Sequence, residues 1–289
     1  MATKINNPSK AHLQRLKEFI KGKENLVLLS GAGLSKGSGI PTYRNRSGKW
    51  TRQTPITHQD FISKKTARQQ YWLRSFNGWP AFSAAIPSAS HLAITKLEKN
   101  NFLKTVVPQN VDRLHQKAGT KKVIDLHGRL DEVTCMKCHC VFEREAIQSK
   151  LKTMNPFLLQ ANNMAPDGDA DVNQELTHAI AIPTCDQCEG ILKPNVVFFG
   201  DNVEKPVVDS IYNCIDESDG LLIIGSSLKV FSGYRFCRYA AKKTKPIASI
   251  NPGIARGEDL IPTLIRSDAD ELLPHLFDKA EPLNSQNIF

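Results

Sequence analysis

Six short apolar runs, each ending in a glycine or polar turn, constrain this chain more than any other feature. Leu26–Leu29 runs into Ser30-Gly31-Ala32-Gly33, Lys104–Val107 into Pro108-Gln109-Asn110, and Val123–Ile124 into Leu126-His127-Gly128. Val196–Phe199 runs into Gly200-Asp201, Leu221–Ile224 into Gly225-Ser226-Ser227, and Ile247–Ile250 into Asn251-Pro252-Gly253. Runs this short and this apolar read as strands buried on both faces. Segments of helical spacing fall between several of them, over 90–100 and 207–217, and a further helix is expected over 8–21, with Gly22 as its stop. The alternation predicts an α/β fold built on a parallel sheet with covering helices. Because the glycine and polar residues follow the strands, the loops are expected to converge on one crevice at the carboxyl edge, where open α/β sheets bind their ligands.

The pattern breaks over 130–192, which reads as an inserted small module between the two parts of the main domain, 1–129 and 193–289. This module holds Cys135-x-x-Cys138 and Cys185-x-x-Cys188, two knuckles whose four thiolates suit one tetrahedral structural zinc and leave no open position for catalysis. The stretch between the pairs is longer than in compact zinc ribbons, at a modest extra cost in closure entropy. Cys140 is a competing ligand, and a free-thiol redox role is the alternative. An odd total of 7 cysteines argues for a reducing compartment instead of a disulfide framework.

With 289 residues, 40% of them hydrophobic and 23% charged, the chain has enough apolar material for a large core. No apolar run is long enough for a membrane span, which needs roughly 18–20 residues. The opening MATKINNPSK lacks an apolar signal core and is too short and Arg-poor for a transit peptide, so a bacterial cytoplasmic protein is expected, with the mitochondrial matrix as the alternative. A net charge of +9 suits anionic partners, but the lysines are scattered in short groups, and nucleic acid is not expected.

Three loops could carry chemistry. In GAGLSKGSG the glycine spacing departs from the ordinary dinucleotide fingerprint, yet it would still let backbone approach phosphates. Thr42-Tyr43-Arg44 adds an aromatic and a cation. Asn110 and Asp112 in QNVDRLH could bond a ligand's amide and hydroxyl groups or simply cap a helix. His127 could be a general base or a packed histidine.

Taken in order, GAGLSKGSGIPTYR, QNVDRLH, LHG, the two cysteine pairs, LKPNVVFFGD, GSSL and the SIN of 249–251 resemble the sirtuin family over about residues 25 to 275. The stretches ARQQYWLRSFNGWPAFS, NVDRLHQKAG, APDGD and GSSLKVFSGYRF are most similar to class II, in the mitochondrial sirtuin-four branch and its bacterial relatives.

The resemblance implies a Rossmann-like domain and an NAD-dependent protein lysine deacylase. On that basis Gly31, Ala32, Gly33, Ser35, Tyr43 and Arg44 would lie on the cofactor loop, and Gln109, Asn110 and Asp112 would hold the nicotinamide and its ribose. Gly225, Ser226 and Ser227 would meet the phosphates and a ribose, Asn251 with Pro252 and Gly253 the adenosine ribose, and Ala269 the adenine. Val197, Phe198 and Gly200 would pair with an acyl-lysine peptide as an added strand. The implied reaction displaces nicotinamide by the acyl oxygen, with Asn110 assisting and His127 then acting as base on a ribose hydroxyl, and yields free lysine and O-acyl-ADP-ribose. Tyr71 and Arg74, three apart on an expected helix, would form an acyl pocket favouring acidic acyl groups. Thr42, Pro108 and Glu189 depart from the residues usual in the family. The rival readings are a protein ADP-ribosyltransferase and a non-catalytic NAD- or ADP-ribose-binding zinc module.

Overall fold

A computed structural model of the chain describes residues 10–42, 55–158, 168 and 177–277. Helix α1 (Lys10–Ile20) leads into strand β1 (Leu26–Ser30), followed by α2 (His58–Ser63), α3 (Lys65–Ser83), α4 (Ala89–Lys99), β2 (Leu103–Pro108) and the short α5 (Leu114–Lys117). Then come β3 (Gly128–Cys135), β4 (Val141–Glu143), α6 (Arg144–Met154) and β5 (Leu192–Val196). The chain closes with α7 (Lys205–Asp216), β6 (Gly220–Ile224), α8 (Phe231–Lys242), β7 (Ile247–Ile250), β8 (Thr263–Ile265) and α9 (Ala269–Leu272).

Five strands form a parallel sheet in the order β2-β1-β6-β7-β8. Its strands alternate between two cores, as a period of two demands. Leu26, Leu28, Leu222, Ile224, Ala248 and Ile250 face α1, α4 and the C-terminal turns, packing on Leu16, Ile94 and Leu276. Val27, Leu29, Leu221, Ile223 and Ile247 face α7 and α8, packing on Ile211, Ile215 and Phe236. The chain leaves β1 for β2 on one side and later returns as β6, β7 and β8 on the other. The strand order therefore reverses at β1, the switch point where such sheets open a ligand crevice.

Two of the six expected strands fall elsewhere. Val123 makes only an isolated bridge to Val106. Of the run starting at Val196, only Val196 itself belongs to a named strand, as the last residue of β5, which joins β3 and β4 in a separate antiparallel sheet ordered β4-β3-β5. The residues of both runs are only partly buried, and apolar character alone does not say whether a run is a strand or which sheet it joins. Strand β8, three residues long at the sheet edge, has no apolar run to announce it.

The antiparallel sheet and α6 share a core with α2 and α3: Val133, Ile147, Leu151 and Leu192 pack on Phe61, Tyr71, Trp72 and Phe76. Arg144, fully buried, ties α6 to α3, with its guanidinium 5.4 Å from the Trp72 ring and 5.0 Å from the Trp79 ring. It also donates to the Ser75 carbonyl at 3.2 Å. Among the described residues no helix is long and apolar enough to cross a membrane.

Candidate active site

The loops after β1 and β6 meet backbone to backbone at the switch point. A Cβ on Gly31 would lie 2.8 Å from the Gly225 carbonyl oxygen, and one on Gly33 would lie 2.9 Å from Gly225 Cα. Gly225 itself has φ of +63°, so all three positions require glycine. These loops open onto a cleft of about 770 Å³. Gly31, Ala32 and Gly33 line it beside Gly225, Ser226 and Ser227, while Asn251, Pro252, Gly253 and Ala269 line it beyond β7. Thr42 is also on the wall, whereas Tyr43 and Arg44 lie outside the described residues.

Gln109 and Asn110, just past β2, line the same cleft. Gln109 Nε2 donates to Ser226 Oγ at 2.8 Å and to the Ser30 carbonyl at 3.1 Å, bridging the loops of β1, β2 and β6. Asn110 Nδ2 donates to Ser35 Oγ at 2.8 Å, and Ser35 donates to Asp112 Oδ2 at 2.6 Å. Ser35 and Asp112 are buried and do not line the cleft. Asp112 Oδ1 accepts the Leu114 backbone N–H at 2.9 Å, so this carboxylate caps α5 and anchors Asn110 through Ser35.

His127 projects into the cleft from the loop before β3. Its Nδ1 is 2.7 Å from the Gln109 carbonyl oxygen, which can only accept, so Nδ1 carries the proton and Nε2 keeps its lone pair. Ser232 Oγ, 2.7 Å away in the first turn of α8, donates to Nε2. Burial lowers the His127 pKa from its ordinary 6.5; the bond to Gln109 opposes this and the nearby Arg235 cation adds to it. The ring is thus held neutral, with its basic nitrogen turned toward the cleft wall of α8. Gly128, at φ of +77°, lets the chain turn from His127 into β3.

Val197, Phe198 and Gly200 line the cleft after β5, and Val197 N–H donates to the His127 carbonyl at 2.9 Å. Tyr71 reaches the wall from α3 and packs against Phe198, ring centroids 5.4 Å apart. Arg74, one turn further along α3, is buried and is not on the cleft wall. Ser232 and Arg235 were missed in sequence; their signal is weak, a hydroxyl and a cation in the helix that follows Gly225-Ser226-Ser227.

Away from the cleft, the four sulfurs of Cys135, Cys138, Cys185 and Cys188 lie within 4.8 Å of one another. The Cys135–Cys188 and Cys138–Cys185 pairs are 3.4 and 3.6 Å apart, close to the edges of a tetrahedron with zinc–sulfur bonds of about 2.3 Å. The backbone N–H of Cys138, with help from Lys137, lowers the Cys135 thiol to about 6 against burial. Burial and the neighbouring sulfurs push the Cys188 thiol up and, against the Cys140 backbone N–H, the Cys138 thiol too, so four thiolates this close call for a cation among them. Gly190 lies so close to the cluster that a Cβ would come 2.7 Å from Cys135 Sγ. Cys140 instead donates to Gln187 Oε1 at 2.9 Å and is not among the clustered sulfurs. The donor set fits a closed zinc site.

The model described as Sir2 family matches residues 31–232. An NAD-dependent protein deacetylase of Bordetella bronchiseptica is 45% identical over 263 residues, covering 90% of this chain and 96% of that protein. The NAD-dependent protein deacylase Sirt4 of Drosophila melanogaster is 42% identical over 270 residues, covering 92% and 86%. A solved structure of Sir2 with p53 peptide and NAD+ superposes with a TM-score of 0.72 at 26% identity, over 92% of this chain and 96% of that one.

Proposed function

The chain belongs to the Sir2 family of NAD-dependent protein deacylases, and from that premise we propose that His127 is its catalytic base and that its cleft divides into a dinucleotide half and an acyl-lysine half. The observation that carries this reading is the neutral His127, its Nε2 lone pair held inside a cleft whose other end is the Gly31–Gly225 cradle. NAD, when bound, supplies a nicotinamide leaving group and a ribose that takes up the acyl group.

The chain's own residues supply the setting. Gly31, Ala32 and Gly33 with Gly225, Ser226 and Ser227 offer backbone and hydroxyls to the phosphates and a ribose. Asn251, Pro252, Gly253 and Ala269 receive the adenosine end, and Tyr43 and Arg44, outside the described residues, would serve the same cofactor. Gln109 and Asn110 orient the nicotinamide side, with Asn110 fixed by Ser35 and Asp112. His127 Nε2 takes a proton from a ribose hydroxyl, general-base help of about 10²- to 10⁴-fold. Val197, Phe198 and Gly200 pair with the substrate backbone. Cys135, Cys138, Cys185 and Cys188 hold a zinc that shapes the small unit of 130–192 and, with no open ligand position, takes no part in the reaction. The main domain is drawn from 1–129 and 193–289, less α2, α3 and β5, which share the core and sheet of the small unit, and the bacterial relatives support a cytoplasmic site of action.

Tyr71 on the wall supports an acyl pocket beside α3, and Arg74, buried behind that wall on the next turn, would have to swing its guanidinium forward to pair with the distal carboxylate of an acidic acyl group. Glutaryl-type lysines should therefore be processed better than acetyl-lysine, and Arg74→Ala should cost roughly 10- to 100-fold on acidic acyl groups only. A panel of acyl-lysine peptides with NAD, read by nicotinamide release and product mass, tests both proposals. O-acyl-ADP-ribose is expected. Nicotinamide release with the acyl group still on lysine would instead mark an ADP-ribosyltransferase. A preference for acetyl-lysine, or an equal loss on every acyl group in Arg74→Ala, would sink the pocket assignment.

A further inference from the structure

Among the described residues the charges lining the cleft do not balance. Its acidic members among the described residues are Asp201 and Asp268. Asp201 is paired with His58 at 3.0 Å, and Asp268 is 3.6 Å from Lys36. The remaining cations of the lining, Lys229 and Arg235, have no ion-pair partner among the described residues. Lys229 is exposed on the rim. Arg235 is half-buried, with its Nε shut away from solvent and without a hydrogen-bond partner, and its guanidinium lies 5.1 Å from the exposed Phe231 ring. A cation partly withdrawn from water and left unpaired is costly unless a ligand completes it.

Its position says which ligand. His127 touches both walls of this half of the cleft: its carbonyl accepts from Val197, and its Nε2 accepts from Ser232. Arg235 lies one turn beyond Ser232 on α8, close enough to act on His127 electrostatically. The two unpaired cations therefore border the segment proposed to hold the substrate backbone, while the nucleotide-side cation, Lys36, is already paired. Resting on the deacylase reading above, we infer that Arg235, assisted by Lys229, reads an acidic side chain beside the acyl-lysine, making this chain selective for acyl-lysines in acidic sequence surroundings. The guanidinium would donate to the carboxylate, with Phe231 shielding the pair from solvent.

The test uses the full chain and peptides identical except for Ala, Glu or Lys on either side of one acyl-lysine. Turnover is read as kcat/KM above the ordinary histidine range, so that any effect of Arg235 on the ionisation of His127 is silent. Peptide affinity is read separately by fluorescence anisotropy. Glu-flanked peptides should exceed Ala-flanked ones by about threefold to tenfold, and Lys-flanked ones should fall below both. The difference should sit in KM and affinity, and should shrink as salt is raised. Arg235→Gln should remove most of it, Lys229→Gln part of it, and Arg235→Lys should restore it in part. Equal use of the three peptides overturns the inference. So does a preference that survives in the Arg235→Gln, Lys229→Gln double variant, or an Arg235→Gln effect on KM for NAD and not for peptide. Affinity needs no turnover, so a chain that turned over no peptide would count against the deacylase reading alone, and the order of affinities would still decide this inference.

Discussion

His127 commits one ring nitrogen to the Gln109 carbonyl and the other to the Ser232 hydroxyl, which settles where its proton can be. Replacing it with Ala should lower deacylation by about 10²- to 10⁴-fold, while NAD affinity, which draws on the backbone cradle, stays within a few-fold by calorimetry. Because burial first, and Arg235 after it, lower its pKa from 6.5, the acid limb of kcat/KM should inflect below that value. The Ser232 hydroxyl donates to the neutral form and so favours it. Ser232→Ala should therefore move the acid limb upward by up to about one pH unit, the equivalent of one hydrogen bond. A limb that stays in place would show that Ser232 packs against His127 without setting its ionisation. His127 was legible in the sequence as the polar end of an apolar run. Ser232 was not, because a lone serine at the second position of a helix carries no pattern that sets it apart from an ordinary solvated side chain.

At the scale of elements, the strands buried on both faces were readable because such burial leaves an uninterrupted apolar run, and the glycines after β1 and β6 because their backbones touch. The spacing of Tyr71 and Arg74 was right for one helix, yet only Tyr71 reaches the cleft. Helix α3 is buried on nearly every side, so its sequence carries no apolar stripe to tell one face from another. The cysteine knuckles were readable from spacing alone, and they carry a local cost. Glu189, where the family usually has glycine, sits in the left-handed region at φ of 58°. Glu189→Gly should relieve that strain and raise stability by about 0.5–1 kcal/mol, seen as a higher urea midpoint at unchanged slope. Cys185→Ser should act the other way, removing zinc and unfolding the small unit with its α3 contacts instead of selectively changing catalysis. Folded wild-type protein with no zinc by metal analysis would end that assignment.

Over the whole molecule the main sheet and the small unit meet around the cleft, and the main body holds buried histidines with no part in the reaction. His91 and His115 lie ring to ring, centroids 5.0 Å apart, behind the carboxyl ends of β1 and β2. His115 Nε2 is 2.9 Å from Ser30 Oγ, and His91 Nδ1 accepts the Ser88 backbone N–H at 3.2 Å. Burial holds His115 well below its ordinary 6.5, with repulsion from His91 adding to the effect. Burial also lowers His91, against the opposing pull of Asp112 and Asp270. Both are bases whose folded pKa lies below the unfolded one, so the unfolded chain binds protons first as pH falls. Their stabilisation is therefore fully present above 6.5 and is lost progressively below it, until the folded pKa is reached. Each group can contribute at most about 1.4 kcal/mol per pH unit to that slope. Protonation of the zinc thiolates would add to the loss at lower pH. Unfolding free energy, followed by urea titration at a series of pH values, should be flat above 6.5 and fall below it. In His115→Gln, which cannot take up the proton, the fall should be shallower by about 1 kcal/mol per unit, even if the variant starts from a lower plateau. An unchanged slope in that variant would move the acid sensitivity from the histidine pair to the zinc site or to His127.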